Sequence, residues 1–259
     1  MELCGSLNKI TMNINWNITQ TDIDRVKKVV SDNDNAFLKS RHKRNVEKQK
    51  IVINKDIIIK TMIMCLLTSQ QRSGPNSTVG QFLRLDPFPI TDDVLTKDNN
   101  LEQIIKTTLQ QNKLTRYMNR ISSYFTANYT NITNNNWILL DALKGLINSN
   151  SKQKEREIAD KLANDFDGFG PKQSRNFLQA LGLTKYEIPI DSRITNWLND
   201  FGFPVTLTSL PLGDTGYYHF VSDGIQKLCE RAKVYPCILD AAIFSSYDND
   251  EWVDESIIF

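Results

Sequence analysis

Cysteine and histidine are scarce in this chain, and their spacing argues against whole classes of chemistry. Of 259 residues, four are cysteine and two are histidine. Cys4, Cys65, Cys229 and Cys237 form no CxxC pair and no zinc pattern. They also lack the closely spaced four-cysteine run that holds an iron–sulfur cluster, and so read as free thiols in a reducing compartment. His42 and His219 lie far apart in the chain, which argues against a histidine-based metal site. No stretch approaches ~18 consecutive apolar residues, so no membrane span is expected. The N-terminal MELCGSLNKITMNINWN has no basic segment leading into an apolar one, so no signal peptide is expected and the protein reads as intracellular. Neither sign of charge is in excess: 31 Lys and Arg meet 30 Asp and Glu, a net charge of +1. That balance neither favours nor excludes a polyanionic partner, because such a partner needs only a local basic face.

What is present is an ordinary globular composition, 40% hydrophobic and 24% charged, long enough for one large domain or two lobes on a shared core. Residues 1–20, rich in Asn, Thr and Ile, read as a short strand pair or an irregular arm. A helix is expected after a cap at Thr21, with Asp22 and Asp24 in its first turn. The stretch 39–50, KSRHKRNVEKQK, is strongly basic and reads as a solvated face or as a phosphate-contacting patch. Residues 55–70 are apolar nearly all round, as in a buried helix. They end in the turn-prone QQRSGPNS, after which a helix restarts near Ser77–Thr78 and runs to Pro87 and Pro89. Helical spacing recurs over 99–129, 136–148, 153–165 and 217–247, the last broken near Pro236. No strand-rich block follows residue 50, so the fold class is all-α.

The most informative stretch runs from Asp165 to Trp197, DFDGFGPKQSRNFLQALGLTKYEIPIDSRITNW. A helix ends, Asp167-Gly168-Phe169-Gly170 makes a tight turn, and a second helix starts at Pro171, a residue suited to the first helical position. Phe177, Leu178 and Leu181 give it an apolar face, and Gly182 stops it. Two glycines one residue apart let the backbone approach a ligand closely, and a fresh helix N-terminus beside them points unpaired N–H groups outward. Taken alone, the turn reads equally well as a plain connection between packed helices. Lys172 alone reads as a solvated lysine, and Asp191 alone as the N-cap of a following helix.

Together these residues resemble the helix-hairpin-helix DNA glycosylase superfamily, which includes endonuclease III and the 8-oxoguanine DNA glycosylases. The resemblance implies that the turn, through Gly168 and Gly170, binds a DNA phosphate. It implies that Lys172, two places after the second glycine, is the nucleophile of a member that also cleaves the strand. It implies that Asp191, nineteen positions later in Pro189-Ile190-Asp191, is the acidic partner. The chemistry needs these types: a neutral amine attacks the sugar and forms a Schiff base, and a carboxylate stabilises the positive charge that develops. Upstream, LLTSQQ over 66–71 resembles the helix end that fills the gap left by a flipped base, with Gln70 the first candidate and Gln71 and Arg72 its neighbours. Near the C-terminus, YPCILDAAIF resembles the last helix of the 8-oxoguanine enzymes. There Asp240 and Phe244, at i and i+4, would line the base pocket; the alternatives are a surface acid and a core phenylalanine. Arg193 would contact a phosphate, or be a solvated helix arginine.

The resemblance covers roughly residues 55–250. It implies a two-lobed fold with a cleft between the lobes: lobe one at about 1–54 plus 195–259, lobe two at about 55–165, and the helix-hairpin-helix at about 153–182. It implies a bifunctional DNA glycosylase and AP lyase removing an oxidised purine such as 8-oxoguanine in base excision repair. The protein would be a monomer on double-stranded DNA, in the cytoplasm or nucleoid, with no required cofactor and no iron–sulfur cluster. A monovalent cation would sit on the hairpin carbonyls of Asn164, Phe166 and Phe169. The turn begins Phe-Asp-Gly where Leu-Pro-Gly is commoner, and no long β-rich N-terminal domain is present, which suits the compact prokaryotic type. Rival readings are a glycosylase for another base such as an oxidised pyrimidine, a non-catalytic hairpin module that binds DNA, and a helical interaction protein.

Overall fold

A computed structural model describes residues 16–69, 71–97 and 100–247, and these residues contain helices and no strand. The expected arm or strand pair at 1–20 falls mostly outside them. The first helix, α1 (Gln20–Asp32), starts two residues earlier than expected. Its cap is Thr19, not Thr21: the Thr19 hydroxyl accepts from the Asp22 N–H while the Asp22 carboxylate accepts from the Thr19 N–H at 2.8 Å. That reciprocal pair satisfies two end groups at once, which a cap at Thr21 could not do with Asp22 as its neighbour.

After α2 (Ala36–Arg41) and a wide turn at His42–Val46 comes α3 (Lys55–Leu67), the apolar segment. Ile58, Ile59, Met62, Ile63, Cys65 and Leu67 are wholly buried, so this helix is the axis of one core. Around it pack α4 (Thr78–Leu83), α5 (Asp92–Thr96), α6 (Leu101–Gln111), α7 (Met118–Asn134) and α8 (Ile138–Ile147). The stretch 99–129, expected as one helical run, is two helices. Lys113 and Tyr117 take left-handed backbone, φ +60° and +58°, and turn the chain between α6 and α7.

The helices α9 (Lys152–Asp165) and α10 (Pro171–Ala180) close this first core, which takes buried apolar residues from Ile53 to Leu183. A second core joins α1 and α2 to α11 (Ser192–Phe201), α12 (Thr215–Ala232) and α13 (Pro236–Tyr247). A single irregular segment, 183–191, carries the chain from the first core to the second.

Candidate active site

The turn between α9 and α10 depends on its two glycines for different reasons. Gly168 has φ +75°, and a Cβ there would lie 2.5 Å from Tyr124 Cδ2 and 2.9 Å from Leu66 Cδ2. No other residue type fits without displacing packed neighbours. Gly170 is the N-cap of α10 in extended backbone, and a Cβ built on it meets nothing within 4 Å. Its lack of a side chain leaves open space beside the first N–H groups of α10, with no side-chain cap on the helix end. A residue that sequence reasoning missed holds the turn in place. Asn128 on α7 donates to the Asp167 carbonyl at 2.9 Å and accepts from its N–H at 2.7 Å, while Asn131 donates to the Asp165 carbonyl at 3.0 Å.

Lys172 is the second residue of α10. Burial lowers its pKa below the ordinary lysine value, and Arg193 lowers it further; Asp191 and Asp240 pull the other way. Lys172 of α10, Asp191 and Arg193 at the start of α11, and Asp240 of α13 therefore share one electrostatic site. Cys65 is a neutral thiol, held so by burial, with the Asn176 amide 3.7 Å from its sulfur.

Asp191 is the N-cap of α11 as the sequence suggests. Its Oδ1 accepts from the Arg193 and Ile194 N–H groups at 2.9 and 3.1 Å. Its Oδ2 accepts from Arg193 Nε at 2.9 Å and Nη2 at 2.5 Å. Arg193 therefore folds back rather than reaching outward as a solvated helix arginine. Its guanidinium lies 4.2 Å from the centroid of Phe244, whose ring also meets Phe37 at 5.1 Å. The carboxylate and an aromatic of α13 are thus linked through one arginine.

Asp240 is buried, not a surface acid, at 8% exposure. It accepts from Gln179 Nε2 at 2.6 Å. Burial pushes its pKa up to about 6, against the opposing pull of Arg41. Phe244 is half-buried, so a base stacking on it would take the place of the Arg193 guanidinium. At the end of α3, Gln71 turns its amide back onto the Leu67 carbonyl at 2.9 Å, Arg72 is exposed, and Gln70 lies outside the described residues.

Three of the six Lys and Arg side chains in the basic run 39–50 are turned inward, while Lys39, Lys43 and Lys50 are exposed. Arg41 donates to the Gln179 carbonyl at 3.4 Å, Arg44 to that of Ala180 at 3.0 Å, and Lys48 to that of Gly182 at 3.0 Å. The first two are the last carbonyls of α10 and the third lies just past its end, where cations meet the negative end of the helix dipole. Both sequence readings of this run, a solvated face and a phosphate patch, miss that role for three of its charges. The sequence also gave no sign of a buried ionic cluster behind the site. Arg175, fully buried, donates to Glu187 Oε2 at 3.0 Å and to Asp160 Oδ1 at 2.6 Å. Arg156 donates to Glu187 Oε1 at 2.9 and 2.8 Å.

No family model matches the chain, and no curated protein matches it. Among solved structures, the fold is similar to that of the 8-oxoguanine DNA glycosylase of Thermotoga maritima. The TM-score is 0.60 at 13% identity, covering 88% of this chain and 97% of the other. The all-α class expected from the sequence therefore holds over the described residues, and their fold is similar to that of this glycosylase.

Proposed function

We propose that this protein is a bifunctional DNA glycosylase and AP lyase that removes an oxidised purine, 8-oxoguanine being the lesion for which its structural counterpart is named. The observation that carries the reading is the electrostatic coupling of Lys172, at the open end of α10, with the capping carboxylate Asp191.

In this reading the first amides of α10 and the space over Gly170 take a phosphate of the duplex. The amine of Lys172, whose neutral form burial favours, donates its lone pair to the anomeric carbon. The glycosidic pair leaves with the base, which takes up a proton. Opening of the sugar gives an iminium between Lys172 and the sugar. Loss of the adjacent sugar proton then expels the 3′ phosphate. Asp191 balances the positive charge that appears on the sugar and on nitrogen, and Arg193 gives up one of its two partners as the site fills. Asp240 and Phe244 hold the flipped base, the ring by stacking and the carboxyl group by a hydrogen bond.

The hairpin offers oxygen donors of the kind a monovalent cation takes. The carbonyls of Asp165 and Asp167, which alternate with those of Asn164 and Phe166, are tied to asparagine amides, and the Phe166 carbonyl takes the Phe169 N–H at 3.2 Å. A cation on Asn164, Phe166 and Phe169 would stiffen the same turn and add positive field for a phosphate. The protein would act as a monomer on duplex DNA. Among the described residues no helix is long and apolar enough to cross a membrane.

Borohydride trapping on an abasic duplex tests the reading. The wild-type chain should cross-link, and Lys172→Gln should not, while retaining most of its duplex affinity. No cross-link from the wild type would leave a DNA-binding hairpin module, and undiminished trapping in the variant would move the nucleophile elsewhere. A panel of duplexes each carrying one lesion identifies the base, with an oxidised pyrimidine as the rival outcome.

A further inference from the structure

Asp191 is reached through a stretch of chain that is buried yet has no helix or strand to pair its backbone. Such a segment needs side chains to take its N–H and C=O groups. Glu155 on α9 does so at the near end, accepting from the N–H groups of Lys185, Tyr186 and Glu187 at 3.1, 2.9 and 3.1 Å and from the Thr184 hydroxyl. At the far end the partner is Tyr218 on α12. Its hydroxyl accepts from the Ile190 N–H at 2.8 Å and donates to the Ile188 carbonyl at 2.8 Å.

These two peptide groups flank Pro189, which has no N–H of its own and a fixed φ. One oxygen therefore closes a small loop across the proline, and the next residue in the chain is Asp191. The tyrosine has little freedom: it is fully buried, and the guanidinium of Arg175, itself held by Glu187 and Asp160, lies 4.8 Å from its ring centroid. Burial raises the phenol pKa far above its ordinary value, so the hydroxyl keeps its proton and its donor role throughout the working range.

We propose that Tyr218 is a positioning residue for Asp191. Its hydroxyl clamps the backbone on both sides of Pro189, so that the carboxylate enters α11 at a fixed distance from Lys172. This rests on Asp191 being the acidic partner of Lys172. Displacing a reacting group by about 1 Å can reduce a rate by about 100-fold, and the clamp is one residue from the group it places.

Tyr218→Phe keeps the ring and removes only the hydroxyl. Strand cleavage of a lesion duplex should fall at least about tenfold in kcat, with KM and duplex affinity unchanged. The same substitution made on Asp191→Asn should cost less than about twofold, because a residue that acts through Asp191 has nothing left to place. Amide hydrogen exchange gives a readout independent of activity: Ile190, Arg193 and Ile194 should exchange faster, and the amides of α12 should not.

An unchanged kcat overturns the proposal, and so does an equal loss in both backgrounds, which marks a general weakening of the fold. If the wild-type chain neither cleaves nor traps, the functional reading fails, and exchange alone decides: protection lost at the cap of α11 supports the clamp, and unchanged protection overturns it. Should Tyr218→Phe not fold, Pro189→Ala loosens the backbone between the two arms of the clamp and carries the same test, with a smaller loss in kcat.

Discussion

Replacing Asp240 by asparagine should stabilise the protein, and more so at neutral than at acid pH. The carboxyl group is buried, and its pKa rises from 3.8 to about 6. In the unfolded chain it ionises at its ordinary value, so below that value folding loses nothing to it. As pH rises from 3.8 to 6 the unfolded state ionises first and stability is progressively lost. At about 1.36 kcal/mol per tenfold change in proton affinity, the full loss is about 3 kcal/mol, of which about half has accrued by about pH 5. Asparagine does not titrate, and its carbonyl can still accept from Gln179 Nε2. Its own N–H group, left without a partner, costs about 1 kcal/mol at any pH. Asp240→Asn should therefore gain ~2 kcal/mol at about pH 7.5 and less than ~1 kcal/mol at about pH 5. Urea unfolding of both proteins at the two pH values measures this directly. The pH-independent terms cancel in the comparison, so the informative quantity is the difference of ~1 kcal/mol or more between the two gains. Equal gains at both pH values would mean that burial does not raise the pKa of Asp240, and would refute the reasoning whatever the activity of the variant.

The two hairpin glycines should separate folding from binding. Gly168→Ala forces Cβ into Tyr124 and Leu66 at positive φ and should cost ~2 kcal/mol or more in a melt. Gly170→Ala should melt normally yet bind duplex DNA more weakly; unchanged affinity would remove the phosphate from the end of α10. The pH profile of the lyase step should rise and level off below the ordinary lysine value, because burial lowers the pKa of Lys172 and the free amine is the reactive form. In Asp191→Asn, which removes a charge that raises that pKa, the residual profile should move to lower pH, and a shift to higher pH would contradict the coupling. Glu187→Ala strands the buried Arg175 with Asp160 alone and should destabilise the chain by ~3 kcal/mol, read by denaturant unfolding; a neutral result would show that the cluster is not what fixes α10 to the segment before Asp191.

At three places the signal is local, and there the sequence alone determines the outcome. The turn of α9 into α10 follows from Gly168, Gly170 and Pro171. The cap of α11 follows from Asp191, and the buried axis α3 from a run that is apolar on every face. Each depends on backbone geometry or helix-end chemistry within about four residues, which a spacing pattern records. The break between α6 and α7 was not legible, because Lys113 and Tyr117 adopt left-handed backbone without glycine to announce it.

Only the tertiary structure decided which charges are spent inside the protein. Arg41, Arg44 and Lys48 stand in a basic run that promises a surface patch, yet they cap the carbonyls at the end of α10, more than 130 residues away. Arg193 looked outward and is bound to Asp191 and Phe244. Asp240, read as a base-pocket residue or a surface acid, is buried beside Gln179. Asn128, which holds the hairpin by both of its amide atoms, carries no local mark at all. A charge or an amide is satisfied by whatever the fold brings within about 3 Å of it. That partner is set by the packing of helices far apart in the chain, and no periodicity in one stretch of sequence encodes it.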